Sequence, residues 1–304
     1  MYRCPDCHES LDAASATLRC TRCASDFPVV EGVADFSRGA YYDAFDPAHP
    51  PSCEHLAGLD SEVEGTRRRI VDFYLPLIEK RNAWSVLDCG CGNGLSVDLL
   101  NERGIDAWGI DLSALRKWQW RERERRDRLA VANGLSLPFP DAAFDAVISS
   151  GVIEHIGVEE HRDSRYHVRP LPSRDALRVA FLGELRRVTK PSGTIWLDFP
   201  NGAFPIDFWH GDRPGAARWH PPDEGFLPTF REVRRLAGEG ATLRALSPHR
   251  RLGFQQAGRH WYGKLFSAPM SGLLRAMTYK PFDLLAESSL NPFLVVEMTN
   301  DAGA

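Results

Sequence analysis

The sequence predicts an α/β protein with a small cysteine-stapled unit at its head and a helical insertion ahead of its last strand. Three observations carry this. From Ala83 onward, apolar strand-like runs alternate with helical stretches, the pattern of a parallel sheet covered on both faces. Residues 4–23 hold two Cys-x-x-Cys knuckles separated by twelve residues. A stretch of roughly forty residues with helical spacing divides the last two strand-like runs, ATLRALS and PFLVVEMT. The boundaries that follow are 1–36 for the stapled unit, 37–82 for a linker and N-terminal helix, and 83–304 for the α/β domain, with the insertion at about 250–290.

The knuckles, CPDCHESLDAASATLRCTRC, supply Cys4, Cys7, Cys20 and Cys23. Each Cys-x-x-Cys turn presents two sulfurs to one ion, so two turns complete a tetrahedral zinc shell. A closed four-thiolate shell has no open position for chemistry, which makes this zinc structural and leaves His8 a bystander. Roughly thirty-five residues cannot bury enough core to fold alone, so the metal supplies the folding free energy.

Residues 40–60 are rich in Pro, Asp, His and aromatics without a period, and read as linker or surface loop. Ser61 with Glu64 then forms a capping box for a helix whose apolar face is Ile70, Phe73, Tyr74, Leu77 and Ile78. Pro76 should kink or split that helix. Arg67, Arg68 and Arg69 read as its solvated face. The strand-like runs are WSVLDCG, DAWGIDLS, RLAVANG, FDAVISSG and GTIWLDFPNG, with a helix through ALRVAFLGELRRVTK before the last. RKWQWRERERRDR mixes charges at helical spacing and reads as another solvated face.

Among 304 residues the formal charge is −4 and the pI about 6.2, a balance that argues against a nucleic-acid partner. No run approaches eighteen apolar residues, so no membrane span is expected, and MYRCPDCHES lacks the head and apolar core of a signal peptide. Both point to a cytoplasmic protein. The odd count of seven cysteines, with Cys53, Cys89 and Cys91 scattered, suits a reducing compartment rather than a disulfide framework.

VLDCGCGNG ends a buried strand in a glycine loop that lets backbone amides approach a ligand. Gly90, Gly92 and Gly94 are spaced by two throughout, which departs from G-x-G-x-x-G and argues against a pyrophosphate-bearing cofactor. The next strand ends at Asp111, where a carboxylate reads ribose hydroxyls. This constellation resembles the class I S-adenosylmethionine-dependent methyltransferases, with VLDCGCGNG as first motif, GIDLS as second, ANGLSLPFPDAAFDAVISSGVIEHI as third and fourth, and ELRRVTKPSGTIWLDFPN as the helix, loop and fifth strand after them. The resemblance implies a Rossmann-like sheet and S-adenosylmethionine as cofactor. It also implies that Asp88, Gly90, Gly92 and Gly94 line the methionine part, Asp111 holds the ribose, Asn133 and Gly134 border the adenine, and Ser149 ends the fourth strand beside the cofactor. Asn133 departs from the usual Asp, although its amide oxygen can still accept from the adenine amino group. Cys89 and Cys91 are small loop-packing residues. The head of the chain is similar to the zinc-ribbon activators that bind such methyltransferases, through Phe27, Pro28, Val29, Val30, Gly32, Val33 and Phe36. A ribbon fused in cis would pack on its own methyltransferase domain.

Methyl transfer to a hydroxyl needs in-line positioning and a way to remove a tightly held proton. GVIEHI places Glu154 and His155 just past the fourth strand, and this Glu-His resembles O-methyltransferases of the quinone-biosynthesis type and small-RNA 2'-O-methyltransferases. Some of those bind a divalent metal with a further Glu three residues earlier, where this chain has Gly151, so a metal-free base is expected. PNGAFPIDFWH is similar to segments in methyltransferases of sugars, glycolipids and secondary metabolites, which makes Asn201, Asp207 and His210 candidates for binding or deprotonating an acceptor hydroxyl. The expected reaction is O-methylation of a small-molecule, sugar or lipid-linked acceptor. The alternative is an rRNA guanine-N1 methyltransferase with a zinc-ribbon docking domain, a family whose ribbon CPDCHESL resembles. Its second half-site has a His where this chain has Cys23, and it lacks Glu-His after the fourth strand. A degenerate module that binds cofactor and a partner protein without transfer is the third reading, which the intact glycine loop and Asp111 argue against.

Overall fold

The computed structural model describes residues 1–301 apart from 15, 47–48, 54, 57–58, 162–164, 214–215, 222 and 253–260. Its chain forms two compact units, residues 1–149 with 183–195, and residues 150–182 with 196–301.

In the first unit, four short strands follow the first knuckle: β1 (Leu11–Ala14), β2 (Thr17–Cys20), β3 (Asp26–Val30) and β4 (Val33–Asp35). They form an antiparallel meander; the first knuckle, Cys4 and Cys7, precedes β1, and the second runs from Cys20 at the end of β2 to Cys23 in the turn before β3. A helical hairpin-free stretch comes next, α1 (Leu59–Arg67) and α2 (Leu75–Arg81) joined by a π-helical segment Arg68–Tyr74. Then strand and helix alternate through β5 (Ser85–Cys89), α3 (Leu95–Asn101), β6 (Asp106–Asp111), α4 (Ala114–Gln119), β7 (Leu129–Val131) and β8 (Phe144–Ser150). The strand order is β1-β2-β3-β4-β7-β6-β5-β8, with β7, β6, β5 and β8 mutually parallel. This is the expected Rossmann-like arrangement. Its chain moves outward from β5 to β6 and β7, then returns to the other side of β5 as β8, which creates a topological switch point at the carboxyl ends of β5 and β8.

The stapled head is continuous with this sheet. β4 pairs in parallel with β7, Ala34 opposite Ala130 and Asp35 opposite Val131. Arg3 N–H donates to Pro138 O at 3.0 Å, and the Tyr2 ring lies 5.3 Å from Phe36 and 5.4 Å from Trp108. Lys117 Nζ closes on Asp35 Oδ2 at 2.6 Å.

Several local expectations are corrected here. α1 begins at Leu59, so Ser61 lies inside the helix instead of capping it. Pro76 falls at the start of α2, directly after the π-helical segment, where Leu75 N–H donates to Ile70 O, five residues back; the helix changes its hydrogen-bond register beside the proline. The wider π turn rotates Arg69 inward, where it is buried, so the three arginines are not one solvated face. Only six residues of RKWQWRERERRDR's neighbourhood are α-helical, and Trp120 is fully buried rather than solvated. The linker is anchored as well, since Asp43 accepts from Ser113 Oγ and from the Ala114 N–H at the start of α4.

The second unit opens with a 3-10 turn, Ile153–His155, and the hairpin β9 (Val158–His161) and β10 (His167–Pro170). Then come α5 (Arg174–Val188) and β11 (Thr189–Pro200), whose residues 183–195 belong to the first unit, followed by the two-residue ladder of β12 (Ile206–Asp207) with β13 (Arg218–Trp219). α6 (Phe230–Ala237) starts at a full capping box, Thr229 with Glu232. The remaining elements are β14 (Ala241–Leu246), α7 (Trp261–Ala276) and β15 (Phe293–Asn300), in sheet order β11-β15-β14 with β14 and β15 antiparallel. α7 and a 3-10 turn, Phe282–Glu287, lie in the expected insertion, of which residues 253–260 fall outside the described residues, as do 162–164 of the expected lid segment. Among the described residues, no helix is long and apolar enough to cross a membrane.

Candidate functional site

At the switch point of the first unit, the loop after β5 is held by its own backbone. Gly90 and Cys91 N–H both donate to Ile110 O, at 2.8 and 2.9 Å, and Gly90, Gly92 and Gly94 all have positive φ. Gly94 has a φ of +76°, and a Cβ there would lie 2.8 Å from Leu129 Cδ1, so a side chain would be strained and would require Leu129 to shift. Gly92 N–H donates to Asp111 Oδ2 at 2.9 Å, which ties the ends of β5 and β6 together. Burial pushes the Asp111 carboxyl up to about 6, against the opposing pull of Arg116 and the Gly92 and Ser113 N–H groups.

Two residues that sequence reasoning passed over brace this loop. Trp120 Nε1 donates to Gly92 O at 2.8 Å, and Arg69 Nη2 donates to the fully buried Asp88 at 3.0 Å. The signal for Trp120 was a large aromatic in an otherwise charged run; for Arg69 the sequence holds none, because its burial follows from the π turn. Ser149 Oγ, Asn93 Nδ2 and Ser96 Oγ are buried without a hydrogen-bond partner. Each such group costs about 1–3 kcal/mol unless a ligand or water meets it. Orphaned polar atoms beside a glycine loop and a ribose-type carboxylate fit a nucleoside cofactor. Asn133 is exposed and turns its Oδ1 to the Leu135 N–H at 2.9 Å, with Gly134 beside it. Cys89 and Cys91 are buried and burial raises both thiols, as loop-packing residues require.

The second unit gathers Glu154, His155 and His210, whose ligand atoms lie within 4.8 Å of one another. His155 Nδ1 meets Glu160 Oε1 at 2.6 Å, and Glu160 Oε2 accepts from Tyr166 Oη at 2.8 Å. His210 Nδ1 meets Asp207 Oδ2 at 3.0 Å, and Asp207 also accepts from the Trp209 N–H and from Arg218 Nε. The two imidazoles stand 5.2 Å apart, with the Phe226 ring 4.8 Å from His210 and 5.6 Å from His155. Glu154 is buried, its Oε2 has no hydrogen-bond partner, and burial raises its carboxyl against the influence of both histidines. Burial also acts to raise Asp207, but the His210 bond and Arg218 outweigh it and hold that carboxyl below the usual range. All four residues named as catalytic candidates are thus in one place. Asp207 touches His210 rather than standing as an independent group.

Arg178 was not foreseen. Its buried guanidinium donates to the backbone oxygens of Glu154, Ile156 and Phe226, fixing the 3-10 turn that carries Glu154 and His155. Burial lowers it to about 10. Asn201 spends its side chain locally, donating to the backbone oxygens of Ser288 and Asn291, which makes it a loop tie instead of an acceptor group.

In the stapled head, Cys4 Sγ lies 3.6 Å from Cys23 Sγ and Cys7 Sγ 3.4 Å from Cys20 Sγ, and all four sulfurs are within 4.8 Å of one another. A zinc tetrahedron with bonds of about 2.3 Å has sulfur–sulfur edges of about 3.8 Å. The N–H groups of Arg22 and Cys23 both point at Cys20 Sγ at 3.4 Å, as at metal-bound thiolates. The donor set fits zinc.

Comparison with known proteins agrees with this geometry. Residues 87–197 match the methyltransferase domain family. A probable S-adenosylmethionine-dependent methyltransferase of Mycolicibacterium smegmatis is 28% identical over 146 residues, 48% of this chain and 49% of that protein. The malonyl-[acyl-carrier protein] O-methyltransferase of Salmonella typhimurium is 30% identical, covering 41% and 42%, and the 18S rRNA (guanine-N(7))-methyltransferase of Bos taurus is 37% identical over 97 residues, covering 32% and 34%. The chain spans about half the length of the first curated relatives it matches.

Proposed function

We propose that this chain, whose residues 87–197 match a methyltransferase domain family, is a class I S-adenosylmethionine-dependent methyltransferase that methylates a hydroxyl oxygen on a glycan, a glycolipid intermediate or a natural product. S-adenosylmethionine supplies the methyl group as a sulfonium. On this reading Asp88 and the loop of Gly90, Gly92 and Gly94 hold the methionine part, Asp111 accepts from the ribose hydroxyls, Asn133 and Gly134 border the adenine, and Ser149 Oγ meets the cofactor. Glu154, His155 and His210 bind and activate the acceptor oxygen, with Asp207 and Glu160 orienting the two imidazoles. The observation that carries the reading is that cluster: a nitrogen or carbon acceptor in no need of deprotonation has no use for two carboxylate-held histidines around a buried glutamate. Zinc on Cys4, Cys7, Cys20 and Cys23 is structural, and residues 1–36 with 37–82 serve the 83–304 domain as a rigid flank and an N-terminal helical brace.

The test is methyl transfer from labelled cofactor to hydroxylated sugar and lipid-linked acceptors, with deproteinised rRNA in parallel. Transfer to a hydroxyl that falls at least a hundredfold in His155→Ala supports the proposal. Label entering rRNA in both wild type and His155→Ala overturns it in favour of a guanine methyltransferase, the alternative that the partial likeness to an rRNA methyltransferase keeps in view.

A further inference from the structure

We propose that the insertion ahead of β15 carries a docking surface for anionic lipid bilayers, built from Arg250, Arg275 and Lys280 with Tyr279, Phe282 and Leu284. Its charge is the first argument. Residues 241–282 hold seven Lys or Arg and no Asp or Glu, in a chain of 37 Lys and Arg against 41 Asp and Glu. The remaining residues therefore stand at a formal −11, and the total of −4 conceals one strongly basic segment.

Two of its cations are spent inside the fold. Arg244 pairs with Glu297 across β14 and β15, and Arg251 pairs with the buried Asp198. Among the described residues, Arg250, Arg275 and Lys280 form no ion pair, and all three are exposed. Burial, and then the charges of Arg250 and Arg275, lower the His249 imidazole below its usual range, so two uncompensated guanidiniums lie within electrostatic reach of one ring.

Beside Lys280 the chain turns apolar side chains outward. Tyr279 is 61% exposed, Phe282 52% and Leu284 75%. Their exposure is not fraying, because the neighbouring Leu274, Met277 and Ala286 form a core against which Leu273 and Leu285 pack. The 3-10 turn Phe282–Glu287 thus has an inner apolar face and an outer one. Aromatic rings next to a lysine ammonium suit a headgroup layer, where ring and stem enter the apolar boundary while the charge meets lipid phosphate. Leu284 decides between polyanions: a nucleic-acid backbone has no use for an exposed aliphatic side chain, whereas a bilayer buries it. Basic charge and apolar area together supply the two signals that membrane attachment needs.

The surface is tied to the catalytic candidates within its own unit. Arg251 Nη2 donates to Ser150 Oγ at 2.9 Å and Nε to Asp198 Oδ2 at 2.7 Å, and Ser150 lies three residues before the turn Ile153–His155. Docking there favours a lipid-linked acceptor over a free sugar. That choice of acceptor, though not the docking, rests on the hydroxyl methylation proposed above.

The full chain, with its metal content measured, is sedimented with vesicles of phosphatidylcholine alone or mixed with phosphatidylglycerol. Binding about tenfold tighter to the mixed vesicles is expected, weakening as salt rises. Each Lys or Arg near an anionic surface strengthens binding about fivefold, so Arg275→Gln combined with Lys280→Gln should weaken it by about tenfold or more. Phe282→Ser combined with Leu284→Ser should remove the binding that survives high salt, with the melting curves of both variants as in wild type. Absence of binding to mixed vesicles, equal binding to both vesicle types, or wild-type affinity in both variants overturns the surface. Tighter binding to deproteinised rRNA, abolished by the Arg275→Gln and Lys280→Gln pair, overturns it too and reassigns the basic segment to nucleic acid. Methyl-transfer assays in parallel separate the two readings. Vesicle binding that these variants abolish, without methylation of any hydroxyl, overturns the reaction and supports the surface, whereas hydroxyl methylation by a chain that binds no vesicles overturns the surface and supports the reaction.

Discussion

At the scale of single residues, the cofactor loop depends on a few polar atoms whose charge state matters. Asp111 titrates at about 6 in the folded chain because of its burial, against about 3.9 for an unperturbed aspartate. Its folded pKa is the higher one, so its contribution to stability is fullest below about pH 4 and is lost as pH rises through about 6. Without cofactor, the unfolding free energy of wild type relative to Asp111→Asn is expected to fall by about 2 kcal/mol from pH 4 to pH 7, read by urea denaturation at each pH. If Asp111 accepts from the cofactor ribose as proposed, cofactor affinity moves the other way, tightening over the same range as the carboxylate becomes ionised, and calorimetric titration at pH 5 and 7 checks it. Trp120→Phe keeps the buried ring but removes the bond to Gly92 O. It should cost about 1–2 kcal/mol and weaken cofactor binding several-fold, a loss that Arg121→Gln, on the exposed side of the same segment, does not reproduce.

Among elements, the turn Ile153–His155 owes its position to one buried guanidinium. Arg178→Met removes three charge-assisted bonds to backbone oxygens and should destabilise the chain by about 3 kcal/mol, with a lower melting temperature and a drop in methyl transfer that extra cofactor does not restore. This element also shows where sequence reading reaches and where it stops. The alternation of β5 to β8 was legible because buried parallel strands are written as short apolar runs, and the glycine loop because only glycine tolerates its backbone. Glu154 and His155 were legible as neighbours of a strand end. His210 was legible as a candidate from its own segment, but its contact with His155 was not, because 55 residues separate the two. Arg69 and Arg178 were illegible for a related reason: an arginine's burial depends on which backbone carbonyls and carboxylates surround it, and surface arginines share the same letters. α6 could have been found from Thr229 and Glu232, whose spacing is that of a capping box.

For the whole molecule, the stapled head is part of the main sheet of its unit and not an appendage. Cys20→Ser breaks the four-sulfur set and is expected to lower zinc content below one ion per chain and the melting temperature by several degrees; an unchanged melting curve in zinc-depleted protein would remove the structural role. Deleting residues 1–36 exposes the β7 edge and the aromatic faces that Tyr2 covers, so the truncated chain should aggregate on size-exclusion chromatography.

The pairing of β4 with β7 reaches further than adhesion. Asp35 stands opposite Val131, and Val131 stands opposite Asp111, so a single rung of the ladder runs from the stapled head to the ribose-type carboxylate. A head supplied as a separate subunit would leave β7 bare whenever it dissociated. Covalently tethered, it rebinds at a high effective concentration, and loss of the zinc proposed at its four cysteines is expected to strip the rung. Zinc starvation should then register as faster amide exchange at Val131 and Asp111 before the rest of the sheet gives way.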